Sequence, residues 1–313
     1  MSVLSKLKKN GKKIMISLAG VVAGLAALWY AFFSLTPYQV DEYMMQSHYA
    51  YKKPAMNMQI EQVTGRNFAF TYQTFDGATV NGRLAYPDDI DAIDNASTRM
   101  PVLVGVHAMG RSENRWWMES FKERPTLEQT DEITKQALAA GYAVIAIDGR
   151  NHGKRKDLDY SVRDMMLDLH LWGEREPYEA MVTDTVKDYR VLLDWIEQQS
   201  QFDQDNISVA GYSLGGQVAL LLAGIDGRIE NVLSIVPPHL DDKTAMVAPK
   251  NVAKRLNVDK VWLVTAKDDE YATVENNETL FNLIKANQKK HIQLDGGHIL
   301  PEGYFNQLIG WYE

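Results

Sequence analysis

The sequence predicts an α/β fold, with a mostly parallel central sheet, antiparallel N-terminal strands and a small lid, preceded by one N-terminal transmembrane helix. Three observations predict it. From Pro101 onward, short β-branched apolar runs without alternation recur between helical stretches, as expected of strands buried on both faces. Before them, residues 67–87 alternate apolar and polar side chains around Asp76-Gly77 and Asn81-Gly82, dipeptides that favour tight turns between antiparallel strands. At the extreme N-terminus, Lys6, Lys8, Lys9, Lys12 and Lys13 precede 22 uncharged residues, 14–35.

At 1.5 Å per residue the uncharged run makes about 33 Å of helix, enough to cross a bilayer. It is longer than a signal-peptide core, and no convincing small-x-small cleavage site precedes Pro37. An uncleaved signal anchor is therefore preferred over a cleaved signal or a buried core helix. The lysines are expected to stay in the cytoplasm and the rest to be exported, into the periplasm in a Gram-negative bacterium. Trp29 and Tyr30 fit an interfacial belt, and Gly20 and Gly24 have GxxxG spacing, which is weak evidence for helix pairing. Four regions follow: a basic tail (1–13), the anchor (14–35), a polar juxtamembrane connector with one helical piece (36–65) and a catalytic domain (66–313).

Within that domain two or three entry strands occupy 67–87. Apolar runs at 102–106, 143–147, 207–210, 232–236, 261–265 and 291–294 supply the buried strands. Residues 127–140 read as a helix capped by Gly141, and 178–199 place Val182, Val186, Tyr189, Leu193 and Ile196 at helical spacing. A lid has room only in about 25 residues after Gly153 and about 24 between Val236 and Val261.

Composition narrows the function. The chain has 313 residues, 45% of them hydrophobic, and a net charge of -8, with no basic cluster outside the tail, which excludes nucleic acid as a partner. With no cysteine, a thiol nucleophile, a disulfide framework and a cysteine-based zinc site are impossible. His152 and His239 show no metal-ligand spacing with carboxylates, so no metal and no cofactor are expected.

The chemistry centres on Gly211-Tyr212-Ser213-Leu214-Gly215, a G-x-S-x-G placed where a strand turns into a helix. Glycines on both sides permit a turn that holds the Ser213 hydroxyl above the sheet, at a helix N-terminus that favours developing negative charge. The hydroxyl needs a base, and the base an acid. After the strand at 261–265 come Asp268 and Asp269, and after the strand at 291–294 comes His298, each where open α/β sheets place their sites. His298 is assigned as base and Asp269 as acid, with Asp268 the main alternative and Asp241 or Asp242 lesser ones. In VLVGVHAMGRS, the loop after the first parallel strand, Met109 is expected to offer a backbone N–H opposite that of Leu214 as an oxyanion hole. His107 reads as stabilising that loop, and Arg111 as a surface ion pair rather than a clamp for an anionic substrate. Trp116, Trp117, Tyr212 and, with less weight, Trp172 are candidates for lining a substrate pocket.

GYSLGG, the VHAMG segment, AIDGRNHG, AKDD and GGH, in this order, resemble the α/β-hydrolase superfamily, near its dienelactone-hydrolase-like and acyl-peptidase-like branches, over residues 67–313. The resemblance implies Ser213, Asp269 and His298 as nucleophile, acid and base, with Met109 and Leu214 as oxyanion donors. It also implies that the loop from Asp148 to Gly153 shapes the site without reacting. Ala108 and Ala266 stand where many members carry glycine. The expected activity is carboxylic ester hydrolysis through an acyl-enzyme. Alternatives are a peptidase or amidase, an acyltransferase, and a non-catalytic membrane-tethered binding module. The expected partners are a small ester or short peptide-like substrate and, through 14–35, the bilayer.

Overall fold

The computed structural model describes residues 3–87 and 99–313, of which 3–14 only as backbone, so the tail lysines' side chains lie outside the described residues. Helix α1 spans Val3–Phe33. Its Met15–Phe33 stretch has a mean hydropathy of 2.0 and none of it is buried within the protein.

The connector is folded against the domain through one helix. Asp41 caps α2 (Glu42–Tyr49) by accepting from the Met44 N–H at 2.8 Å. Met45 and Tyr49 of α2 are buried, and the Tyr49 hydroxyl donates to the Met246 carbonyl at 3.1 Å. Then β1 (Gln59–Thr64) pairs antiparallel with β2 (Asn67–Gln73), so the sheet begins before residue 66. This strand was hidden because all six of its residues are exposed, so no buried face leaves a hydrophobic signature.

Asp76-Gly77 forms the expected turn into β3 (Thr79–Ala85), with Gly77 at φ 82° and its N–H donating to the Thr74 carbonyl. Asn81-Gly82 does not turn. It lies inside β3, where a Cβ on Gly82 would come within 2.2 Å of the Phe70 ring and 2.7 Å of the Ala146 carbonyl. That glycine serves close packing.

The parallel part contains β4 (Met100–Val106), β5 (Ala143–Ile147), β6 (Phe202–Tyr212), β7 (Asn231–Ile235), β8 (Val258–Ala266) and β9 (Ala286–Leu294). The nine-stranded sheet runs in the order β1-β2-β3-β5-β4-β6-β7-β8-β9, antiparallel up to the β3–β5 pair and parallel beyond it. Alternate side chains of β4 feed two cores. Val102, Val104 and Val106 pack with Val186 and Tyr189 of α5 (Glu176–Ile196) and Val218 of α6 (Leu214–Ile225). Leu103 faces the other way, in a core with Trp116 and with Ile133 of α3 (Thr130–Ala139), a helix stopped by Gly141 at φ 85°.

Two small insertions interrupt the parallel part, the second running back along α6 so that Val252 packs against Gly224 near the end of that helix. The first carries α4 (Val162–Leu167), opened by a reciprocal Ser161–Asp164 capping box, and a π-helical turn at Asp168–Trp172. The second carries α7 (Pro249–Ala253). Helix α8 (Val274–Leu283) links β8 to β9 and completes the layers.

Candidate active site

Ser213 sits between β6 and α6 with φ 56° and ψ -117°, a conformation costly for any residue with a Cβ. The surroundings hold it there. A Cβ on Gly211 would lie 2.1 Å from the Gly215 carbonyl oxygen, and one on Gly215 would lie 2.1 Å from that of Val106. Only glycine lets strand, turn and helix approach so closely, and the Ser213 N–H is pinned to the Ile235 carbonyl at 2.8 Å.

The loop after β9 brings His298 over this turn, with Gly296 at φ 103°. The Ser213 hydroxyl donates to His298 Nε2 at 2.7 Å, and His298 Nδ1–H points at both carboxylate oxygens of Asp269, 3.0 Å from each. This tautomer leaves the Nε2 lone pair for the serine proton. The Asp269 carboxylate is 1% exposed and also accepts from the Tyr271 N–H at 2.8 Å, so its orientation is fixed from two sides. Asp268 is exposed and does not pair with His298. Asp241 caps a turn by accepting from the Lys243 N–H, and Asp242 pairs with Lys250 at 2.9 Å.

On the opposite side, the N–H groups of Met109 and Leu214 donate to nothing among the described residues. Leu214 is the first residue of α6, where a free N–H and the positive end of the helix dipole are expected. The Met109 loop is anchored by His107. This buried, neutral imidazole donates through Nδ1 to the Ala108 carbonyl at 2.8 Å and accepts the Gly149 N–H on Nε2 at 3.0 Å. Burial holds the His107 imidazole below the ordinary histidine range. Alanine at 108 is accommodated because the left-handed position of the loop is Gly110, at φ 73°.

The pocket candidates are not gathered at Ser213. Trp116 is fully buried beneath β4, where a Cβ on Gly105 would lie 2.5 Å from its ring. Trp117 is half-buried, carries the Arg83 guanidinium 5.9 Å over its ring, and lines a groove of about 340 Å³ with Val63, Asn67 and Leu138 on the α3 side. Tyr212 points under the histidine loop, its hydroxyl donating to the His298 carbonyl at 2.8 Å and accepting the Leu300 N–H at 3.0 Å. Trp172 meets Phe33 at the end of α1. Bulky aromatics near the motifs were drawn into packing roles, the commoner use of such side chains. Arg111 forms an ion pair with the buried Glu128 carboxylate, so it is not free for an anionic substrate.

Three contributors were missed in the sequence. Tyr271 sets its ring edge-on to His298 at 4.6 Å and is 59% exposed, so it flanks the site mouth. Glu270 accepts the His298 N–H at 2.9 Å, and that bond lowers its carboxyl pKa. Glu113 forms a buried acid pair below the candidate oxyanion loop with Asp148, whose own loop was expected to shape the site. Their signal in the sequence is only proximity to recognised motifs, which does not separate them from ordinary loop residues.

The geometry can be compared with known proteins. A family profile described as the alpha/beta hydrolase family matches residues 103–293. Comparison of the sequence with curated proteins gave no match. Among solved structures, an acetyl xylan esterase from Thermoanaerobacterium sp. superimposes with a TM-score of 0.68 at 14% identity, covering 89% of this chain and 95% of that one. An acetyl xylan esterase from Paenibacillus sp. R4 gives 0.68 at 16% identity, over 91% and 98% of the two chains. A glucuronoyl esterase from Solibacter usitatus gives 0.56 at 13% identity, over 86% and 90%. At such identities these likenesses speak for the fold alone. The profile covers more than half of the sequence, and on that ground the chain belongs to the alpha/beta hydrolase family.

Proposed function

We propose that the chain is a serine hydrolase of carboxylic esters, held at a membrane by its first helix. The observation that carries the reading is the continuous hydrogen-bonded path from the Ser213 hydroxyl through His298 to the buried Asp269 carboxylate. In this reading His298 Nε2 takes the Ser213 proton as the oxygen attacks the ester carbonyl, and Asp269 stabilises the resulting imidazolium. The Met109 and Leu214 N–H groups receive the oxyanion. His298 then returns the proton to the leaving alcohol, and water repeats the sequence on the acyl-enzyme. The chain's structural neighbours include enzymes named for ester cleavage, and among the described residues the short insertions leave the site without a gating domain, both of which favour esters over peptides.

The membrane part of the proposal rests on Met15–Phe33, 19 residues with the length and composition to cross a bilayer. The catalytic part is tested with a fluorophosphonate probe on wild type and Ser213→Ala. The expected result is labelling of wild type alone. No labelling of wild type removes the nucleophile, and equal labelling of both moves it elsewhere. p-Nitrophenyl esters set beside aminoacyl amides then separate esterase from peptidase.

A further inference from the structure

The first helix is docked to one place on the domain, the segment after α4. Trp29 donates its indole N–H to the Leu171 carbonyl at 2.6 Å. Phe33 meets the Trp172 ring edge-on with centroids 5.1 Å apart. Gly173, at φ 68°, lies so close to the helix end that a Cβ there would come within 2.3 Å of the Phe33 carbonyl oxygen. Trp29 is four residues before Phe33, about 6 Å along the helix axis. A carbonyl bonded to Trp29 therefore sits at the depth of Trp29, not beyond the end of the span.

The same segment is apolar on both sides. Met165 and Leu169 point inward and are buried in the core that also receives Met109, whereas Leu167, Leu171 and Trp172 remain 43%, 45% and 52% exposed. Leu167 and Leu171 stand four residues apart, on one helical face. An outward apolar stripe contiguous with a membrane-length helix calls for an apolar environment, and its tryptophans suit the boundary between acyl chains and water.

We infer that the outer face of α4 and the following turn rests in the interfacial layer of the bilayer, with Leu167, Leu171 and Trp172 in contact with lipid. The partner is a lipid surface, and the contact is apolar: residues 157–176 hold six acidic and two basic side chains, so anionic headgroups add no attraction. This placement rests on the reading of Met15–Phe33 as a span. Met109 shares a core with the inner face of the segment, so the contact also brings the candidate oxyanion loop near the membrane surface.

The chain has no cysteine, so single probe sites are available without other changes. Full-length Leu167→Cys and Leu171→Cys, each labelled with an environment-sensitive fluorophore, are reconstituted into phosphatidylcholine vesicles. Asp205→Cys, an exposed position near the start of β6 at the strand end opposite Ser213, is the reference. A far-UV circular dichroism spectrum and thermal melt matching those of the parent protein show that each variant is folded. The expected result is a blue shift and loss of emission to lipids carrying a quencher near the headgroup at 167 and 171, and neither at 205, with no gain when phosphatidylglycerol is added. Probes at 167 and 171 that behave like 205 in carbonate-resistant vesicles overturn the contact while leaving the anchor intact. Release of the protein by carbonate overturns the anchor and the contact with it. Neither result bears on labelling of Ser213, so ester hydrolysis is judged separately.

Discussion

Glu113 opens the short turn after the candidate oxyanion loop, and its buried carboxyl lies beside Asp148. The two Asp148 oxygens already accept the Glu113 N–H at 3.0 Å and the Lys154 N–H at 2.8 Å, which fixes that carboxylate in place. Burial first, and the Asp148 charge next, push the Glu113 carboxyl from its ordinary 4.5 up to about 7. The folded protein therefore holds a proton that the unfolded chain releases once the pH exceeds 4.5. The stability this contributes is complete below pH 4.5 and is lost as the pH rises to about 7. At 1.36 kcal/mol per pH unit the loss amounts to about 3 kcal/mol. Glu113→Gln keeps a neutral side chain with an N–H to offer Asp148 and removes the titration. Urea unfolding of the full chain in detergent micelles is measured from pH 4.5 to 8 for both proteins. The stability of the variant relative to wild type is expected to grow by about 3 kcal/mol across that range. Differencing cancels groups common to both. One of them is His152, whose imidazole burial, with His107 beside it, pushes down to about 3, so that it acts in the opposite sense below pH 6.5. A relative stability that does not change with pH would refute the buried neutral Glu113.

Asp269→Asn is expected to lower kcat on p-nitrophenyl acetate by roughly 10⁴-fold with KM nearly unchanged, because the amide favours the wrong imidazole tautomer. Asp268→Asn is expected to leave kcat near the parent value; the reverse ranking would move the acid to Asp268. Gly215→Ala forces a methyl to within 2.1 Å of the Val106 carbonyl, so a loss of about 1–3 kcal/mol in unfolding free energy is expected, together with loss of probe labelling. Tyr212→Phe strips a partner from the His298 carbonyl and the Leu300 N–H. It is expected to cost about 1–3 kcal/mol and to lower kcat more than it changes KM; unchanged kinetics would show that the histidine loop holds itself.

The readable and unreadable parts of this chain differ in how far their causes lie along the sequence. Ser213 and Asp269 each follow a continuous apolar run, and an apolar run reports a strand whose C-terminal end is where an open sheet exposes its loops, whereas His298 follows an edge strand of which only Ile292 and Leu294 are buried. The strand signal and the site signal are adjacent, so both survive in one dimension. Glycine shows the opposite. Gly77 turns the chain for a local reason, and Asp76-Gly77 is legible as a turn. Gly82 and Gly105 look the same in the sequence yet are required by Phe70 and Ala146, and by Trp116, which reach them only after the sheet has formed. The Asn81-Gly82 reading failed for that reason, and Trp116 was misplaced for the complementary one: the space it fills is created by a missing side chain on another strand. Tyr212 combines both cases. Its place beside Ser213 is written in the motif, but its hydroxyl serves a loop 86 residues away, carrying His298 to the serine from beneath rather than meeting a substrate from above.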